Sequence, residues 1–217
     1  HRVFARLDAV AFEEILSAWL QAVIPTEKGE GIAIDGKTIS GTGIHIVAAF
    51  THKLQSVLFE MGTDTKGKEL VIGPEVLRNI PLNNHMVTGD AMFTQRKICE
   101  QIVSRDGGYV FTVKGNQQAV EEAIRLYFAD VPWKAPVQTD RMVTYWKGRK
   151  EKRIIRMSNY PQLLSYLNWP GLTHVWECTR EVKRKGQTTT EVAIGIASFP
   201  QELENLATAE KLNQYLR

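Results

Sequence analysis

Residues 31–42 read GIAIDGKTISGT, and residues 85–95 read HMVTGDAMFTQ. In each, an apolar run stops at an aspartate. Ile32, Ala33 and Ile34 lead into Asp35, and Met86 and Val87 lead into Asp90. A buried strand that ends in a carboxylate and then turns holds a metal ligand rigidly. Two such strands side by side would hold a divalent cation. An Asp-Gly pair is also a common turn after a strand, so the pair of aspartates carries more weight than either alone.

The neighbouring segments place those strands. Residues 8–24 form an amphipathic helix by periodicity, with Asp8 as N-cap, Phe12, Ile15, Leu16, Trp19, Leu20 and Val23 on one face, and Pro25 as the stop. After the strand at 31–37, HIVAAFTH (45–52) and QSVLFEMG (55–62) read as a hairpin turning at THKLQ. Helix (66–80), strand (85–90), helix (94–106), strand (107–116) and helix (117–130) follow. Three meandering strands and then alternating strands and helices give an α/β fold. This is the order of an RNase H-like mixed sheet flanked by helices. There the first and fourth strands are neighbours, which would set Asp35 beside Asp90.

Past the Pro-rich break at 131–136 the pattern turns β-rich. RMVTYWKGRKEKRIIRMSN (141–159) reads as strands around a Lys-Gly turn, and residues 174–198 as a hairpin turning at KRKGQ. A short helix fits YPQLLSYLNWPG between them. The last residues start a helix capped near Thr208, with Glu210 in its first turn. The expected organisation is a helical segment (1–30), an RNase H-like core (31–130), a β-rich basic insertion before the last helix (131–200) and the start of a final, truncated core helix (201–217).

Composition narrows the function classes. The chain has 217 residues, 43% hydrophobic and 24% charged, as in ordinary globular proteins. No apolar run approaches the roughly 20 residues of a membrane helix. The first residue is His1, so the chain reads as a fragment or a processed form. Cys99 and Cys178 read as free thiols of a reducing cytoplasm. Net charge is +3, but residues 1–130 carry 13 Lys/Arg against 16 Asp/Glu, and residues 131–217 carry 14 against 8. An acidic pocket beside a polyanion-binding surface produces such a split, as do solvated charged strands.

Two metal ions about 3.5–4 Å apart activate a nucleophile and stabilise the leaving oxygen in phosphoryl transfer. Asp35 and Asp90 supply the hard oxygen ligands that Mg²⁺ or Mn²⁺ prefers. Lys37 and Lys114, expected just past strand ends, would contact phosphates. Asn116 and Gln117 would cap the next helix or bond to nucleic acid. The basic runs contribute Lys147, Arg149, Lys150, Lys152, Arg153, Lys183, Arg184 and Lys185 as contacts to the DNA backbone. His45, His52, His85 and His174 read as packed or hydrogen-bonded. Trp133, Trp146, Trp169 and Trp176 read as core or interface residues, with base stacking open to Trp146.

AIDGKTISGT, HIVAAF, VTGDAMFTQRKICEQIVSRDGGYVFTVKGNQ and the closing TAEKLNQYLR resemble the DDE transposases of the H-repeat-associated, ISAs-type insertion sequences. The likeness runs over nearly the whole chain and is strongest at 31–118. The resemblance implies an RNase H-like core and Mg²⁺-dependent cleavage and strand transfer at transposon ends, with two ions in the complete site. It implies Asp35 and Asp90 as the first two acids of a triad. The implied partners are double-stranded DNA, at transposon ends and target, and further copies of the chain, in the bacterial cytoplasm near the nucleoid. Two departures stand out. Lys66, Gly67, Lys68 and Glu69 replace the family's K-S-N-E, and the chain stops at Leu216 and Arg217, where the glutamate-bearing H-W-x-I-E-N segment is expected. Glu202, Glu204 and Glu210 stand outside that motif. The rival readings are another RNase H-fold nuclease and a non-enzymatic DNA-binding module derived from a transposase.

Overall fold

Apolar residues alternate along the first strands, so one set faces a core and pairing partners are sought on both edges. The computed structural model describes residues 6–23, 27–39, 44–53, 55–63 and 69–216. The expected Pro25 stop, the centre of the THKLQ turn at Leu54, the Lys66–Lys68 departure and Arg217 lie outside them. The elements are α1 (Ala9–Val23), β1 (Gly31–Thr38), β2 (His45–Thr51), β3 (Val57–Thr63), α2 (Glu69–Arg78), β4 (Met86–Gly89), α3 (Arg96–Val103), β5 (Gly108–Val113) and α4 (Gln118–Ala129). Then come β6 (Val137–Trp146), β7 (Arg149–Ser158), α5 (Pro161–Leu167), β8 (His174–Arg184), β9 (Gln187–Ser198) and α6 (Ala209–Tyr215).

The fold is mixed α/β. Among the described residues, nine strands form one sheet in the order β3-β2-β1-β4-β5-β9-β8-β7-β6. β1 to β3 form an antiparallel meander, β4 and β5 add in parallel, and β9 joins β5 antiparallel. The β-rich second half therefore continues the sheet of the first half. Its two hairpins turn at Lys147-Gly148 and Lys185-Gly186, all four residues at positive φ. Two-residue turns of that kind match the right-handed strand twist.

Each sheet face has its own core. Ile32, Ile34, Val87, Tyr109, Phe111, Val175 and Ile194 pack with residues of α2, α3, α4 and α5. On the other face, Met86, Val110, Ile155, Met157, Trp176 and Ala197 pack with Leu203 and with Leu212 and Tyr215 of α6. Helix α6 is fixed at both ends. The Thr208 hydroxyl accepts from Lys211 N at 3.1 Å, and the Tyr215 hydroxyl donates to the Gly29 carbonyl at 2.6 Å.

Three expectations change. β1 does not end at Asp35: it pairs with β2 through Thr38, with Asp35 opposite Ala48 and Lys37 opposite Ile46. Asp35 and Lys37 thus lie inside a strand, because β2 supplies hydrogen-bonding partners past the apolar run. α1 is capped by Asp8, whose Oδ1 accepts from Ala11 N at 3.1 Å, yet Phe12, Ile15, Trp19 and Val23 are exposed. The helix lies at the β3 edge, where Glu13 Oε1 accepts from Glu60 N, and only part of its apolar face meets protein. Trp169 and Trp176 are buried as expected, whereas Trp133 and Trp146 are exposed.

Candidate active site on one face of the sheet

Parallel pairing of β1 with β4 ends at Ile34 opposite Gly89. Asp35 is the next residue of β1 and Asp90 the first residue past β4, and neighbouring strands run about 4.8 Å apart. Alternation sets Asp35 on the face of Ala33, and Asp90 on the face of Met86 and Thr88. Ala33 and Thr88 are themselves opposite each other. Both aspartates are exposed. Asp90 Oδ1 accepts from Met92 N at 3.0 Å, capping a single turn of 3₁₀ helix at Ala91–Phe93. Asp90 Oδ2 and both oxygens of Asp35 take no hydrogen bond or ion pair among the described residues.

A cavity of about 710 Å³ opens on this face, lined by Asp35, Thr88, Thr112, His52, Gln214 and Tyr215 among others. The last turn of α6 forms its far wall. His52 Nε2 and Thr88 Oγ1 are 2.8 Å apart, and burial lowers the His52 pKa. The three other histidines among the described residues are also hydrogen-bonded: His45 with Thr38, His85 with the Asn83 carbonyl and His174 with Thr173. Burial lowers His174 to about 4, so its ring is neutral at pH 7. Among the described residues no third His, Cys, Asp or Glu joins Asp35 and Asp90 as a metal-binding group. Asp35, Thr88 and Thr112 line this cavity, and Asp90 follows Gly89 at its margin; carboxylate and hydroxyl oxygens are the donors that a hard divalent cation takes.

Lys37 follows Ala33 and Asp35 along one face, and Lys114 follows Val110 and Thr112, so both lysines share the aspartates' side of the sheet. Asn116 and Gln117 bond within the chain through their amide NH₂ groups. Asn116 Nδ2 donates to the Ala91 carbonyl at 2.6 Å, and Gln117 Nε2 to the Thr94 carbonyl at 3.1 Å.

The basic residues split by the strand period. Ile155, Met157, Trp176 and Cys178 pack on the α6 face, which puts Arg149, Arg153, Arg180 and Arg184 on the aspartates' side. Lys150, Lys152 and Lys183 point to the opposite side, and Lys147 and Lys185 occupy the hairpin tips. The two tips sit together, with Arg149 opposite Arg184 and Lys150 opposite Lys183. They enclose a hollow of about 470 Å³ lined by Tyr145, Trp146 and lysines. Lys147 Nζ lies 4.6 Å from the Trp146 ring centroid, and Lys150 Nζ 5.6 Å from that of Tyr145.

Three of the expected DNA contacts are ion-paired within the chain. Lys152 pairs with Glu181 at 3.1 Å, Arg153 with Glu151 at 2.7 Å, and Arg149 also with Glu151. Arg180 joins Glu151 at 3.0 Å and Glu191 at 3.3 Å. The Arg180 hydrogen bonds, with those of Arg153, hold the Glu151 carboxyl down to about 2 from an ordinary 4.5. A depressed carboxylate stabilises the fold above its unfolded pKa, and that contribution disappears as pH falls through the folded value. Glu151→Gln is therefore expected to be less stable than the parent at pH 7. The gap should narrow as pH falls from about 4.5 to about 2, measured by urea denaturation across that range.

Arg180 and Glu151 escaped the sequence reading. Arg180 opens the basic run at 180–185, but its orientation depends on register against β7. Thr88 and Thr112 also escaped it, because a hydroxyl inside a strand carries no signal until the strands are aligned.

The family description "Transposase DDE domain" matches residues 24–217. "Putative transposase YncI" of Escherichia coli O157:H7 is 33% identical over 184 residues, covering 79% of this chain and 47% of that protein. The YncI of strain K12 is 34% identical over 175 residues, covering 75% and 70%. "H repeat-associated putative transposase YhhI" of strain K12 is 28% identical over 182 residues, covering 79% and 48%. The chain thus spans about half the length of the O157:H7 protein. A cryo-EM structure of the piggyBac transposase synaptic complex with hairpin DNA covers 86% of this chain and 39% of its own, at 12% identity and a TM-score of 0.40, too weak to bear on fold or function. With the family description matching nearly the whole chain, this protein belongs to the transposase DDE domain family.

Proposed function

We propose that the chain is the catalytic portion of a DNA transposase, with Asp35 and Asp90 as two of its metal ligands on an RNase H-like sheet. One observation supports the reading: the β1–β4 register sets Ile34 opposite Gly89, the residues just before the two open carboxylates, in a member of this family. A divalent cation held there would supply Lewis-acid charge and an activated oxygen nucleophile. The chain's own residues bind and orient the DNA. Lys37 and Lys114 face the same side as the carboxylates and meet the phosphates flanking the scissile bond. A third acid would enter where the last turn of α6 lines the cavity. The reaction is phosphodiester hydrolysis at a transposon end, followed by attack of the freed 3′ hydroxyl on target DNA.

The strand period selects the DNA track. Arg153, Arg180 and Arg184 continue the aspartates' face, and a second cavity lined by Arg153 and Arg180 shares Thr112 and Leu216 with the first. Arg184→Ala and Lys185→Ala are expected to weaken DNA binding and to reduce the salt slope by about 0.9 each. Lys152→Ala, on the opposite face and paired with Glu181, is expected to leave both unchanged. Filter binding across a salt series checks this. Equal losses from both faces would overturn the one-face track.

The deciding assay for the function gives the full-length protein, Mg²⁺ or Mn²⁺ and DNA carrying the element's ends. Strand-transfer products support the reading, simple nicks favour another nuclease, and DNA binding without cleavage favours a non-enzymatic module.

A further inference from the structure

Asp90 follows a strand of only four residues, and the chain then turns through one 3₁₀ turn. Such turns have poor hydrogen-bond geometry and hold few conformations by themselves. Here the turn is fastened from outside. The Ala91 carbonyl accepts from Thr94 N at 3.1 Å and from Asn116 Nδ2 at 2.6 Å. The Thr94 carbonyl accepts from Gln117 Nε2. Thr94 is fully buried, and its hydroxyl donates to the Thr112 carbonyl of β5 at 2.6 Å. Phe93, also fully buried, anchors the turn from below.

We propose that Asn116 and Gln117 are positioning residues for Asp90, clamping the turn behind it so that its open Oδ2 faces the site. The inference rests on the reading of Asp90 as a metal ligand. Only an NH₂ group can serve a carbonyl, so the orientation of both amides is set by their partners. Amides also do this without charge. The segments at 90–94 and 114–117 are thus two halves of one contact: the turn, and the corner that holds it.

The test uses the full-length protein with Mn²⁺ as probe, its affinity read from the free-ion electron paramagnetic resonance signal. Amide hydrogen exchange at residues 91–94 is measured in parallel. Asn116→Ala and Gln117→Ala are expected to weaken Mn²⁺ binding about 10-fold and to speed exchange at 91–94. Their thermal midpoints should stay near the parent's, and Gln118→Ala should change neither readout. Asp90→Asn is the reference for loss of the ligand. Faster exchange with unchanged affinity would reduce the amides to a structural brace and overturn the proposal. Unchanged exchange and affinity would also overturn it. Loss of Mn²⁺ binding in neither Asp90→Asn nor the amide variants would instead remove Asp90 as a ligand, and the inference with it.

Discussion

Asp35→Asn and Asp90→Asn are each expected to reduce strand cleavage by the full-length protein about 1000-fold, or about 4 kcal/mol of transition-state stabilisation. Their folds should survive. Asparagine caps a helical turn as well as aspartate does, so Asp90→Asn keeps the acceptor for Met92 N. The Asp35 side chain makes no hydrogen bond or ion pair among the described residues, so its replacement by asparagine breaks no such bond there. Each substitution also removes one of two like charges on adjacent strands, and the thermal midpoint is expected to stay level or rise. A cleavage assay beside a melting curve separates chemistry from folding. Cleavage unchanged in both variants would remove the carboxylates from the mechanism.

Gly195→Ala is expected to cost about 3 kcal/mol, at the upper end of ordinary overpacking. Gly195 lies in β9 between β5 and β8, opposite Thr112 and Trp176. A Cβ there would stand 2.1 Å from the Phe111 carbonyl oxygen and 2.3 Å from the Trp176 ring. The backbone oxygen is fixed by the sheet. The ring is 1% exposed, with its Nε1 donating to the Ile196 carbonyl at 3.3 Å, so it has nowhere to go. For a chain of this size the loss corresponds to a fall of about 8 °C in thermal midpoint. Gly115→Ala is the control, since a Cβ there meets nothing within 4 Å. Its effect should stay within about 1 kcal/mol. Equal melting of the two variants would show that β9 can shift away from β5.

Much of the fold was legible because its signals are local. Lys147-Gly148 and Lys185-Gly186 mark the two hairpins, since their turns need left-handed backbone that glycine adopts freely. Thr208 marks the start of α6 by a bond three residues away. Asp90 was readable as a strand-end carboxylate because β4 is short and an apolar run defines it. Asp35 was misplaced at a strand end because the polar half of β1 is stabilised by β2, not by burial of its own side chains.

The sequence by itself determined where most strands, helices and turns form, which two carboxylates stand where apolar runs stop, and that the second half is basic. These follow from side-chain period, turn chemistry and composition, all properties of neighbouring residues. Tertiary structure alone decided the rest. Register put Ile34 against Gly89, just before the two aspartates, sent Arg153 and Lys152 to opposite faces, and gathered Arg149, Arg153 and Arg180 around Glu151. It also brought Asn116 and Gln117 within hydrogen-bond reach of the Ala91 and Thr94 carbonyls. A one-residue slip in pairing would reverse each of these faces, and pairing between distant strands is set by the whole core.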